Sequence, residues 1–110
     1  MISKLSASGD SVWTYRAQKT ATSAMGFAIT SKGDKIYGGG FLCDTAGTDE
    51  NLFTVILDTM GTLQHEWIYN GVGDAITQGQ FVRTDAQNNV YCAATVDRLY
   101  LGGMDVAVVK

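Results

Sequence analysis

Phe27-Ala28-Ile29-Thr30-Ser31-Lys32-Gly33-Asp34-Lys35-Ile36-Tyr37 decides the fold, because the chain carries a second version of it. Fifty-four residues on stands Phe81-Val82-Arg83-Thr84-Asp85-Ala86-Gln87-Asn88-Asn89-Val90-Tyr91. Each version is a β-rich segment, a cluster of residues that accept positive φ or form Asx turns, and a second β-rich segment ending in Tyr. That order predicts a hairpin in each place.

Extending the comparison at the same offset pairs Ile2 with Ile56, Trp13 with Trp67, Tyr15 with Tyr69, Ala21 with Ala75, Thr30 with Thr84 and Val55 with Val109. Large aromatic residues dominate these matches, as expected where internal repeats preserve core-forming positions. Trp13-Thr14-Tyr15 and Trp67-Ile68-Tyr69 place two aromatics on one face at the two-residue period of a strand. Leu52-Phe53-Thr54-Val55-Ile56-Leu57 and Val106-Ala107-Val108-Val109 supply a further apolar strand each, and Asp58-Thr59-Met60-Gly61 turns into the second Trp strand. The chain therefore reads as all-β, one unit over residues 1–110 made of two four-stranded antiparallel copies, approximately 2–56 and 56–110. Four-stranded units at this period are the blades of β-propellers.

The stretch from Phe81 through Asp85-Ala86-Gln87-Asn88-Asn89-Val90-Tyr91 to Gly102-Gly103-Met104-Asp105-Val106-Ala107-Val108-Val109-Lys110, with Asp74 before it, resembles the bacterial SBBP-type β-propeller repeat. Lys4-Leu5-Ser6-Ala7-Ser8-Gly9-Asp10-Ser11-Val12-Trp13 and 31–37 follow the same pattern more loosely. Gln87 and Asn88 depart from the Gly-Asn of that pattern, and Thr20 stands where Asp74 stands in the other copy. The resemblance implies inner strands at 25–30 and 79–84, second strands at 35–40 and 89–94, third strands at 52–57 and 105–110, and an outer strand at 66–70. Residues around Trp13 then form an outer strand with no blade before it, and 104–110 lacks an outer neighbour.

Two blades alone would leave apolar sheet faces and a strand edge bare, and such surfaces mark association sites. Closure by a rotational operator covers them. The expected partner is therefore the chain itself: a homo-oligomeric ring, a homotrimer of six blades first, with a tetramer or pentamer next. The expected interface residues are Val12, Trp13 and Tyr15 on one side and Asp105, Val106, Val108 and Val109 on the other, with strand 12–16 adding to edge 105–110 of a neighbour. The alternatives are a small-ligand or carbohydrate-binding, lectin-like propeller using the matched aromatics, and one fragment of a longer propeller protein.

Eight basic residues against eleven acidic ones give a net charge of −3, the wrong balance for binding a phosphate backbone. No nucleic-acid partner is expected. Residues 1–6 contain no apolar signal core and no segment has membrane-spanning apolar length, so no membrane partner is expected either. Catalytic chemistry is thinly supplied. His65 is the sole histidine, and its neighbour Glu66 points to the opposite face of a strand. Asp44, Asp49 and Glu50 crowd one loop, with Asp97 and Asp105 in its counterpart. Their spacing is not that of a calcium loop. Cys43 and Cys92 are too few for a disulfide framework or zinc site, and Cys92 in an apolar run reads as a buried hydrophobe. Gly38-Gly39-Gly40 lacks the helix and Lys of a phosphate loop and fits close sheet packing instead. The sequence thus predicts a non-catalytic scaffold or interaction module, with no catalytic, cofactor-binding or metal residues.

Overall fold

A computed structural model describes residues 1–17, 23–43, 50–69, 76–98 and 103–110. These form nine strands and no helix: β1 Ile2–Leu5, β2 Ser11–Tyr15, β3 Ser23–Lys32, β4 Lys35–Cys43, β5 Glu50–Asp58, β6 Leu63–Tyr69, β7 Ile76–Thr84, β8 Val90–Arg98 and β9 Gly103–Val109. Every pairing is antiparallel. β1 and β2 make a two-stranded hairpin, β3-β4-β5-β6 a central sheet, and β7-β8-β9 a three-stranded sheet. Thr20, Asp44, Asp49 and Asp74 lie outside the described residues.

The central sheet is covered on both faces. On one side Tyr37, Leu52 and Ile56 pack with Val82, Cys92 and Ala94 of the three-stranded sheet. On the other, Leu42, Phe53, Val55 and Leu57 meet Ile2, Trp13 and Tyr15 of the hairpin. β5 is consequently buried from Leu52 through Leu57, which explains its unbroken apolar run where a one-sided strand would alternate. Its one hydroxyl in that run, Thr54, is satisfied by the Cys92 sulfur at 2.9 Å.

The glycine run permits both contacts. An added Cβ at Gly38 would lie 2.4 Å from Ile2 Cδ1, and one at Gly40 would lie 2.0 Å from the Met25 carbonyl oxygen; Gly39 faces Val82 at 3.5 Å. Close approach of the hairpin and of the neighbouring strand therefore disfavours larger residues at Gly38 and Gly40, whereas a Cβ at Gly39 would make ordinary contact with Val82.

Three turns share one design. Residues 6–10, 58–62 and 85–89 each close with the first N–H donating to the fifth carbonyl and the fourth N–H donating to the first carbonyl. The fourth residue takes positive φ in each: Gly9 at 91°, Gly61 at 84° and Asn88 at 65°. Asn88 thus fills the position by accepting the left-handed region that Asn tolerates better than most residues. Asp58 Oδ1 accepts from the N–H groups of Met60 and Thr62, and Asp85 Oδ1 accepts from those of Gln87 and Asn89. The β3–β4 connection is shorter, with Lys32 paired to Lys35 across Gly33-Asp34. Gly33 alone is at positive φ there, 60°, the pattern of a type II′ turn.

The offset of 54 is disturbed by the shorter β3–β4 connection. It holds for the middle strands, since Gly38 pairs with Val55 as Cys92 pairs with Val109. Elsewhere the register slips. Four residues separate the paired Ser31 and Ile36, whereas five separate Thr84 and Val90. The extra residue means that Phe81 and Phe27 are not equivalent in space; Ala28 holds the place of Phe81, opposite Gly39 as Phe81 is opposite Ala93. In the outer hairpins Trp13 stands opposite Lys4 beside a bulge, and the matching place in the central sheet belongs to His65, opposite Ile56. Tyr15, opposite Ile2, correspondingly matches Trp67, opposite Thr54. The strand at Ile2–Leu5 was not expected as a separate element, and it gives the Trp13 strand a partner inside its own chain.

Gly61 carries both positive φ and the Trp13 ring, 2.6 Å from an added Cβ, whereas Gly33 has positive φ and open space. Gly33→Ala should cost about 1–2 kcal/mol for the left-handed backbone alone. Gly61→Ala should cost more by at least about 1 kcal/mol, because overpacking against Trp13 adds to it; equal losses in denaturant melts would contradict this account. The Asp85 carboxyl is held down to about 2 from its usual 3.8, chiefly by the Asn89 side chain, with the Asn89 N–H, Tyr91 hydroxyl and Gln87 N–H assisting. A carboxyl lowered by folding contributes stability above about pH 4 that disappears as pH falls toward 2. Asp85→Asn should flatten that acid limb of the stability curve measured by thermal melts.

Candidate interaction surfaces

Among the described residues three surfaces stand open, and each follows from where a strand or sheet stops. The first is a cleft of about 310 Å³ between the edge of β1 and the inner half of the central sheet. Met25, Phe27 and Ile29 of β3 line it with Gly38 and Gly40. The hairpin covers β5 on this side but leaves β3 uncovered, so Met25, Phe27 and Ile29 are 53, 45 and 58 % exposed. Phe27 holds Phe41 at 5.7 Å between ring centroids.

The second is the outward face and outer edge of the three-stranded sheet. Val106 and Val108 of β9 are 79 and 66 % exposed, and Phe81 of β7 is exposed beside them. β9 pairs with β8 on one edge and with nothing on the other among the described residues. The third surface is a groove of about 430 Å³ beside that free edge, where Trp67 and Tyr69 of β6 face Cys92, Val109 and Lys110. Trp67 stacks on His65 at 5.4 Å, and Lys110 Nζ lies 5.8 Å from the Tyr91 ring centre.

The residues expected at an interface divide between these places. Val12 is exposed at the bulge of β2. Trp13 and Tyr15 are brought together against the central sheet of their own chain. The Trp13 indole N–H donates to the Thr59 carbonyl at 3.0 Å, and the Tyr15 hydroxyl donates to Glu66 Oε2 at 3.0 Å. Burial, followed by the hydrogen bond to and the charge of Glu66, pushes the Tyr15 phenol up to about 12. Val106 and Val108 are free on the outward face, whereas Val109 packs half-buried against the inner core. The Asp105 backbone pairs with Val96, and its side chain lies outside the described residues.

Sequence reasoning did not find the cleft or its lining, because Met25, Phe27 and Ile29 look like ordinary core residues of an inner strand. A signal for β1 was present: Ile2-Ser3-Lys4 repeats the pattern of Val108-Val109-Lys110.

The titratable groups do not assemble a reaction centre among the described residues. His65 stacks outward on Trp67 while Glu66 turns to Tyr15, the opposite facing that strand geometry requires. No three His, Cys, Asp or Glu side chains are gathered as a metal site among the described residues. Cys43 and Cys92 are free thiols, both buried, and burial raises the Cys92 thiol while Thr54 partly offsets it. No helix is long and apolar enough to cross a membrane among the described residues.

The two indoles should report separately. In Trp13→Phe protein the remaining Trp67, 47 % exposed, should be quenched readily by acrylamide. In Trp67→Phe protein the remaining Trp13, with its N–H bonded and its ring over Gly61, should be several-fold less accessible. Equal quenching constants would mean that the hairpin does not stay on the central sheet. Comparison with known proteins finds no family model, curated protein or solved structure that matches the chain.

Proposed function

We propose that this chain is a ring-forming β-propeller module, a non-catalytic scaffold whose partner is its own kind. One observation supports the reading: the three-stranded sheet has the strand order of β3-β4-β5 and the hairpin the register of β5-β6, and among the described residues β9 has no strand on its outer edge and the hairpin no inner strands beside it. Each supplies what the other lacks. The hairpin sits on the central sheet as β5-β6 sits on the three-stranded sheet, for Ile2 meets Gly38 as Thr54 meets Cys92, where Gly38 and Cys92 correspond through the middle strands and Ile2 and Thr54 through the outer hairpins.

In the ring, β7 and β8 of one copy fill the cleft over β3 of the next, so that Phe81, Val106 and Val108 cover Met25, Phe27 and Ile29. β2 adds to β9 and completes a four-stranded blade through backbone hydrogen bonds. Each join is heterologous, so the number of copies follows from the angle between sheets. Three copies and six blades is the favoured closure. A second reading rests on the groove beside the stacked His65 and Trp67, where an exposed aromatic face next to Asn88 and Asn89 offers stacking and hydrogen bonds to a carbohydrate or other small ligand. It fails if sugars leave Trp67 fluorescence unchanged.

Substitutions on the outward face test the ring without stripping the hairpin from the core. Val106→Asp with Val108→Asp places charge on side chains that solvent already reaches, so the single chain should melt within about 1 kcal/mol of the parent. Light-scattering mass should fall from a single closed oligomer to one chain. A parent that is monomeric at every concentration, or a variant that keeps the parent mass, would defeat the proposal.

A further inference from the structure

The blade that two copies would share has one place for its third strand, and two segments claim it. In the central sheet that strand is β5. Counting from the paired bulges, Lys4 occupies the place of Ile56 and Ile2 that of Thr54. Counting across the middle strands, Val109 occupies the place of Val55. Ile2, Ser3 and Lys4 of one copy are therefore positional equals of Val108, Val109 and Lys110 of another. Both cannot pair with the same edge of β2.

We infer that β1 is a place-holder that occupies β2 within the single chain and must yield it to β9 of a second copy when the ring closes. The inference rests on the ring reading above and adds its regulation. β1 is the weaker claimant. It has a strand on one side only, and three of its four residues are exposed. β9 is paired along its length to β8 and anchors Val109 in the core with Tyr37, Val82 and Cys92. Pulling the end of β9 away would uncover that core and leave Cys92 and Ala93 without their ladder partners. Releasing β1 sacrifices the Ile2 contact over Gly38 and the Ser3–Thr14 hydroxyl bond at 3.0 Å.

The exchange is nearly isoenergetic for β2 itself. It surrenders its pairs with Ile2, Ser3 and Lys4 and regains them with Val108, Val109 and Lys110, with Val106 and Ala107 extending the ladder past Tyr15. Like other exchanges of identical elements between copies, it costs little once the copies are close. Assembly should therefore be concentration-dependent and slower than simple face-to-face association, because β1 has to open first.

A disulfide tests this directly. Ser3 and Thr14 are cross-strand partners with touching hydroxyls, close enough for a bridge after Ser3→Cys with Thr14→Cys. The native thiols, both buried, are distinguished from the new pair by peptide mapping. Reduced, this variant should assemble as the parent does; oxidised, it should stay a folded single chain at concentrations where the reduced form is at least tenfold more assembled. A second variant, Val109→Cys with Thr14→Cys, should form a disulfide between chains and not within one. Equal assembly of the oxidised and reduced Ser3/Thr14 variant overturns the inference while leaving the ring intact, and absence of the Val109–Thr14 bridge in an assembled ring does the same. A parent chain that never assembles removes the ring reading and this inference with it.

Discussion

Six consecutive side chains of β5, Leu52 to Leu57, are buried on both faces of the central sheet, and the rest of the structure is arranged around that strand. A strand of this kind needs a layer on each side, since either face left wet would expose several large apolar groups. The hairpin and the three-stranded sheet are those layers. Gly38 of β4 lets the hairpin approach closely enough for Ile2 to pack against its backbone, while Val82 of the three-stranded sheet packs over Gly39. Thr54 is the sole hydroxyl in that run, and its contact with Cys92 avoids the cost of an unpaired buried polar group.

The turns set how the layers line up. Ser6, Asp58 and Asp85 open three turns of the same hydrogen-bonded form, each using a short polar side chain to organise the backbone groups that follow. Asp85 does most, gathering Gln87, Asn89 and the Tyr91 hydroxyl. Lys32 Nζ donates to the Asp85 carbonyl, so the same turn also ties the three-stranded sheet to the end of β3. A one-residue slip moves a strand's side chains to the other face, so the turns that fix register also fix which aromatics face the core. Tyr37 is 1 % exposed while Phe81 is 60 % exposed.

Sheet layers stacked in one direction pose a constraint at both ends of the stack. Here the ends are unlike. One presents a complete outer hairpin and an uncovered inner half; the other presents a complete inner half and an uncovered edge. Unlike, complementary ends favour a closed heterologous ring over a two-fold dimer, which would need each surface to match itself. In the proposed ring, β1 and β9 stand as rivals for one third-strand place, so closure would exchange partners and separate folding of one chain from assembly of several.

Strand content and antiparallel order were legible in the residues, because apolar segments of strand length between turn formers leave few arrangements. The close packing at Gly38-Gly39-Gly40 and the buried place of Cys92 were legible for the same local reasons. The offset of 54 matches the register of β4 with β5 to that of β8 with β9. It does not carry Phe27 onto Phe81 or Trp13 onto Trp67, since the β3–β4 turn is one residue shorter than the β7–β8 turn and a gapless comparison carries such a difference into the neighbouring strands. Tertiary structure alone decided that β2 is held by Ile2–Leu5 and that Met25, Phe27 and Ile29 face a cleft. Both depend on which surfaces meet across sheets, and strand periodicity records that a face is apolar without recording what lies against it.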